Sequence, residues 1–228
     1  MSRFTRIEVY HRMMETGVIP LFYHENQETC LRVIKACYAG GARLFEITNR
    51  GDRAHELFDT VNQACIREFP DLILGTGSVV DAPTAALYIQ LGSNFIVSPS
   101  LVEEMAPVCN RRKIAWLPGA GSVSEISKAE ELGAEVVKLF PGNVLGGPEF
   151  VKAIRGPMPW TNIMPTGGVK PEETNIKAWF EAGAFCVGLG SQLIVKNAKG
   201  EFDYPEIERL TGLSLEWAAK YRKHGTKK

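Results

Sequence analysis

Glu135-Val136-Val137-Lys138-Leu139-Phe140-Pro141-Gly142 is an apolar run with a single cation inside it and a turn at its end. A β-strand turns alternate side chains to opposite faces, so Lys138 shares a face with Val136 and Phe140 and is carried out of solvent if that face lines a core. An ammonium held there costs several kcal/mol unless it is paired or loses its proton. Burial lowers a lysine pKa, and a neutral amine attacks carbonyl carbon, which is why desolvated lysines recur as Schiff-base nucleophiles. The plain structural alternative is a lysine at a strand end with its head group in water.

Seven further runs of the same kind flank this one: Val18-Ile19-Pro20-Leu21-Phe22, Leu44-Phe45-Glu46-Ile47-Thr48, Leu72-Ile73-Leu74-Gly75, Phe95-Ile96-Val97-Ser98, Ile114-Ala115-Trp116-Leu117, Asn162-Ile163-Met164-Pro165 and Phe185-Cys186-Val187-Gly188. Consecutive runs start about 20 to 30 residues apart, the length of a strand with a returning helix, and right-handed crossovers make such strands parallel. Eight units predict an α/β (β/α)8 barrel, with a doubly wound open sheet as the competing architecture. Ser122 predicts a capped helix through Ile126, Ala129 and Leu132 to Gly133, and Asp81-Ala82-Pro83 opens another with Ala86, Leu87 and Leu91 on its apolar face. A helix from about Thr5 to Glu15 precedes the first strand and is expected to cover the barrel bottom. Lys196 to Asp203 reads as a loop, and Ser214 as the cap of a last helix bearing Leu215, Trp217 and Ala218. No composition shift breaks the chain, so residues 1–228 are read as one domain.

The 228 residues carry 26 basic and 26 acidic side chains and are 45% hydrophobic, enough for a large core and without the charge excess that nucleic acid or an anionic membrane attracts. The C-terminal cluster Arg222-Lys223-His224 with Lys227-Lys228 reads as a solvated helix end. Five cysteines (Cys30, Cys37, Cys65, Cys109, Cys186) show no CxxC pair and do not form a disulfide framework, which points to a reducing compartment. No apolar stretch follows the N-terminus and none approaches membrane-spanning length. The expectation is a soluble cytoplasmic protein.

In such a barrel the chemistry collects where the strands end. Those ends hold Glu46 and Arg50, Thr76-Gly77-Ser78, Ser98-Pro99, Pro118-Gly119, Lys138, Pro165-Thr166-Gly167-Gly168 and Gly188-Leu189-Gly190-Ser191. Glu46 shares a face with Leu44 and Thr48, as either a structural counter-ion to Lys138 or Arg50 or a general base. Glycine turns after the last two strands suit an oxyanion, phosphate above all, and Arg50 is placed to clamp a carboxylate. His11, His24, His55 and His224 lie away from the strand ends and lack metal-ligand spacing, so no metal is expected. Gly75-Thr76-Gly77 lacks the rest of a dinucleotide fingerprint, and no GxSxG elbow is present. No cofactor is expected.

Taken in order, Val18-Ile19-Pro20, Phe45-Glu46-Ile47-Thr48-Asn49-Arg50, Gly75-Thr76-Gly77-Ser78-Val79, Ser98-Pro99, Lys138-Leu139-Phe140-Pro141, Pro165-Thr166-Gly167-Gly168-Val169 and Gly190-Ser191 resemble the class I 2-keto-3-deoxy-6-phosphogluconate / 4-hydroxy-2-oxoglutarate aldolase family, from about Val18 to Leu193. The resemblance implies a homotrimer that cleaves a 2-keto-3-deoxy sugar acid, foremost 2-keto-3-deoxy-6-phosphogluconate, to pyruvate and glyceraldehyde 3-phosphate. It assigns Lys138 as the Schiff-base lysine and Glu46 as the proton relay. Arg50, Ser78 and Pro99 fall to the pyruvyl end, and Thr166, Gly167, Gly168 and Ser191 to the far end of the substrate. The chain departs from the family pattern at Gly142-Asn143, where many members carry Ala-Glu, at Ser78 for threonine and at Ser100 for glycine. These departures leave 4-hydroxy-2-oxoglutarate and unphosphorylated or epimeric acids as alternative substrates. A non-covalent phosphate-binding barrel isomerase and a non-catalytic binding scaffold are the competing classes.

Overall fold

Parallel pairing accounts for every strand ladder in a computed structural model that describes residues 2–222. In chain order the strands are β1 (Val18–Phe22), β2 (Leu44–Thr48), β3 (Ile73–Gly77), β4 (Phe95–Val97), β5 (Ala115–Leu117), β6 (Gly119–Ala120), β7 (Val137–Leu139), β8 (Ile163–Pro165) and β9 (Val187–Leu189). The helices are α1 (Arg6–Thr16), α2 (Gln27–Ala39), α3 (Ala54–Glu68), α4 (Ala82–Gln90), α5 (Met105–Arg112), α6 (Val123–Glu131), α7 (Pro148–Arg155), α8 (Glu173–Glu181) and α9 (Tyr204–Tyr221).

Two hydrogen-bonded sheets, β5-β4-β3-β2-β1-β9 and β6-β7-β8, close into one barrel. At one seam Thr166 bridges to Gly188 in parallel, and the Phe185 N–H donates to the Ile163 carbonyl at 2.9 Å. At the other, β5 and β6 are one stave interrupted at Pro118, which has no N–H to give. Leu117 still accepts from Ser98 on the β4 side, and the Pro118 carbonyl accepts from Lys138 on the other. The nine segments therefore make the eight expected staves. The third stave runs on to Gly77 and the last one ends at Leu189, a residue or two past the expected limits.

Side-chain alternation sorts the core into two shells. Ile19, Leu44, Ile73, Phe95, Val97, Leu117, Val136, Met164 and Cys186 fill the barrel interior, while Phe45, Ile47, Leu74, Trp116, Val137 and Leu139 pack outward against the helices. Helix α1 plugs the bottom of the barrel, as expected. Val9 and Met13 belong to the interior cluster and are fully buried. The helix is held at its start by a capping box, in which Thr5 accepts from the Glu8 N–H and Glu8 accepts from the Thr5 N–H.

Two helix expectations need correction. Ser214 is not a cap but lies mid-helix, fully buried, with its hydroxyl donating to the Leu210 carbonyl at 2.7 Å. Helix α9 starts eleven residues earlier because Asp203 caps the Glu206 N–H, Pro205 suits its first turn, and Ile207 and Thr211 extend the buried face. Helix α4 begins at Asp81 as expected, yet it buries Ala85, Tyr88 and Ile89, while Leu87 is exposed. A short helix with mostly apolar residues does not announce its inner face, and contact with the barrel selects it. The segment from Lys196 to Asp203 is a loop tied by an antiparallel bridge between Lys196 and Phe202. Of the basic C-terminal cluster, Lys223, His224, Lys227 and Lys228 lie outside the described residues.

Candidate active site

Lys138 comes from the middle of β7 and Glu46 from the middle of β2, both on the inward face that period-two alternation assigns them. Both are buried, at 5% and 1% exposure. Neither carboxylate oxygen of Glu46 has a hydrogen-bond partner among the described residues. Burial pushes the Glu46 carboxyl above its ordinary range, and the nearby charges of Lys138 and Arg50 oppose that shift. The Lys138 ammonium lies 5.1 Å from the centre of the Phe140 ring and makes no ion pair among the described residues. A buried amine and a buried acid, each lacking a structural partner, are available to a ligand.

Gly77, at the end of β3, is what lets Glu46 stand where it does. A Cβ at that position would fall 1.7 Å from Glu46 Oε1, so the carboxylate occupies the space a side chain would fill. Ser78 follows with φ 57°, in the left-handed region that a non-glycine residue enters at a cost of about 1–3 kcal/mol. That strain sits at the turn that ends β3 beside Glu46.

Two residues beyond Lys138 and Glu46 on the same inward faces, Phe140 and Thr48 line an open cleft of about 380 Å³ at the C-terminal mouth of the barrel. Arg50, Thr166, Gly167, Gly168 and Ser191 line it too. Gly167 and Gly168 have φ 88° and 79°, left-handed conformations that glycine adopts freely and that carry the chain along the cleft wall. The N–H groups of Gly167, Gly168, Gly190 and Ser191 have no backbone acceptor among the described residues. Thr166 Oγ1 is buried and without a partner. Arg50 is the exposed cation of the lining.

Of the residues singled out in the sequence, Arg50, Thr166, Gly167, Gly168 and Ser191 line the cleft, while Lys138 and Glu46 are buried two residues deeper on the strands that carry Phe140 and Thr48 to it. Ser78 and Pro99 do not line the cleft. Ser78 is half-buried beside Gly77, and the Pro99 carbonyl packs where a Cβ on Gly119 would lie, 2.3 Å away. The cleft wall also contains Phe22, Tyr23, Gln192 and Ile194, which the sequence reading did not single out. Tyr23 directly follows β1 and was within reach of the strand-end rule. Gln192 and Ile194 had no such signal, because they enter through the turn after Gly190.

A buried amine and a buried acid below a rim of unpaired backbone N–H groups, in a closed parallel barrel, are the parts that an enzyme of imine chemistry on carbonyl compounds requires. Comparison with known proteins gives the same class and narrows it. The family model for "KDPG and KHG aldolase" matches residues 9–210. The 2-dehydro-3-deoxy-phosphogluconate aldolase of Pseudomonas aeruginosa is 34% identical over 92% of this chain and 93% of its own. A 2-keto-3-deoxy-6-phosphogluconate aldolase of Zymomonas mobilis shares the fold with a TM-score of 0.80 at 24% identity, covering 92% of this chain and 96% of its own. The KDPG aldolase of Legionella pneumophila, solved with pyruvate captured as a covalent carbinolamine, superposes with a TM-score of 0.73 at 25% identity, covering 94% of this chain and 98% of its own. The chain belongs to the KDPG and KHG aldolase family, aldolases of the class I, carbon–carbon lyase type.

Proposed function

We propose that this chain cleaves 2-keto-3-deoxy-6-phosphogluconate to pyruvate and glyceraldehyde 3-phosphate through a Schiff base on Lys138. The observation that carries the reading is the pairing of buried Lys138 with buried, unpartnered Glu46 beneath a rim of free backbone N–H groups. The Lys138 amine adds to the C2 ketone and forms a carbinolamine, the species captured with pyruvate in the Legionella relative. Burial keeps Glu46 protonated to higher pH than an exposed carboxyl, so it can donate its proton to the departing hydroxyl, which leaves as water. The resulting carboxylate then accepts the proton of the C4 hydroxyl. The C3–C4 bond breaks, its electrons pass into the iminium, and the aldehyde departs from a pyruvate enamine. Glu46 returns the proton to C3, and water releases pyruvate and the free amine.

Arg50 holds the pyruvyl carboxylate, with Ser78 and Pro99 shaping the strand ends behind it. Thr166, Gly167, Gly168 and Ser191 receive the terminal phosphate, and the unpaired N–H groups at that end favour a phosphorylated acid over 4-hydroxy-2-oxoglutarate. The chain acts as one domain and as a homotrimer, for which exposed Trp160 and Val144 supply apolar contact surface, and it works in the cytoplasm, consistent with five buried free cysteines. Among the described residues no helix is long and apolar enough to cross a membrane.

The test is reductive trapping. Pyruvate with borohydride is expected to leave one stable adduct on the peptide containing Lys138 and to abolish turnover. An adduct on a different lysine, or none, would overturn the assignment. Side-by-side cleavage of phosphorylated and unphosphorylated acids then reads the far-end preference.

A further inference from the structure

At the opposite end of the barrel from the mouth lies a second cavity, of about 480 Å³, that the aldolase chemistry does not use. It opens between the end of α1, the end of α7 and the α8–β9 turn, and its size falls in the range of small-ligand sites. Met14, Phe180 and Phe185 give it apolar walls, and Arg155 and Arg222 bring two guanidinium groups to it. We propose that this cavity binds a small organic oxyanion, a carboxylate or phosphate ester with a short carbon body, held between Arg155 and Arg222.

Three features separate this site from a pair of surface arginines. Arg222 donates one hydrogen bond, from Nη2 to the Glu15 carbonyl, whereas its Nε and Nη1 are buried with no acceptor among the described residues. Capping the end of α1 accounts for the first contact and leaves the other two donors unexplained. Second, both guanidiniums are seated on glycines. A Cβ on Gly17 would lie 2.8 Å from Arg222 Nη1, and one on Gly183 would lie 2.5 Å from Arg155 Nε. Third, neither guanidinium contacts a carboxylate directly, although Glu181 lines the same cavity and Glu15 lies near Arg222. Neither arginine forms an ion pair among the described residues, while the neighbouring carboxylates are engaged elsewhere, Glu15 with Arg12 at 3.3 Å and Glu181 with Lys177 at 3.8 Å. Arg155 donates from Nη1 to the Thr161 carbonyl at 2.9 Å, and two guanidinium groups lining one cavity with Met14, Phe180 and Phe185 match a carboxylate or phosphate head with a carbon body behind it. This reading is independent of the catalytic assignment at the mouth.

The experiment titrates the isotopically labelled full chain with inorganic phosphate and with citrate and follows the backbone amides of Gly17 and Gly183, with Gly167 and Gly190 reporting the mouth in the same spectra. Saturable shifts at Gly17 and Gly183 are expected, with apparent affinity reduced at least about tenfold in the Arg155→Gln/Arg222→Gln variant while the mouth responds unchanged. The unchanged mouth response shows that the variant is folded. Absence of a saturable response at Gly17 and Gly183 with either anion overturns the proposal, as does undiminished affinity in a variant whose mouth still responds.

Discussion

Replacing Gly77 by alanine tests the active-site geometry without touching either reacting group. The added methyl would lie 1.7 Å from Glu46 Oε1, 2.4 Å from its Cδ and 2.8 Å from its Cγ. Contacts under 3.0 Å are not tolerated, so the carboxylate must withdraw by more than an ångström or the β2–β3 register at Thr48 and Gly77 must open. Glu46 has no hydrogen bond among the described residues to hold it back, so the side chain yields before the ladder does. A displacement of about 1 Å at a proton-transferring group costs on the order of 100-fold in rate, and the expected loss of kcat in Gly77→Ala is therefore at least about 100-fold. Imine formation from Lys138 needs less of Glu46 than C3–C4 cleavage does, so borohydride trapping of pyruvate should still label Lys138 at a reduced rate. Steady-state kinetics, circular dichroism and adduct mass together decide the matter. A folded Gly77→Ala protein with wild-type kcat would refute the claim that the missing side chain at position 77 positions Glu46.

Glu46→Gln is expected to lower turnover by about 10² to 10⁴ while the fold persists, because a carboxamide cannot carry the proton back and forth. The same variant should change the pH dependence of stability. Burial raises the folded pKa of Glu46 above its ordinary value of 4.5, so the folded state binds this proton more tightly and the carboxyl's contribution is fully present below 4.5 and lost as pH rises through the folded value. Urea unfolding should therefore show Glu46→Gln gaining on the wild type as pH rises above 4.5, and a constant difference across that range would contradict the raised pKa. Met13→Ala should destabilise the chain by about 2–5 kcal/mol, since it empties the α1 plug inside the barrel, yet leave KM near the wild-type value because the plug lies at the far end from the cleft. A large rise in KM in a folded Met13→Ala protein would count against that separation of bottom and mouth.

Much of this molecule was legible in one dimension because alternation is a property of the backbone. The period-two pattern placed Leu44, Glu46 and Thr48 on one face and Phe45 and Ile47 on the other, and the two core shells divide along that line. The spacing of the eight runs set the parallel α/β units, while closure into a barrel rather than an open sheet came from contacts between the sheet ends, and local capping chemistry marked Asp81 and Ser122 as helix starts. Where the signal was local but had two readings, as at Ser214, the sequence offered a cap and the fold used the hydroxyl inside a longer helix. Contacts between segments far apart in the chain were settled only in three dimensions. Pro118 breaks one stave into two ladders, Gly77 makes room for a glutamate thirty-one positions before it, and Arg155 and Arg222 line one cavity at the barrel bottom. Each depends on side-chain volume and on which groups remain unpaired after packing, and neither quantity exists until the chain has closed on itself.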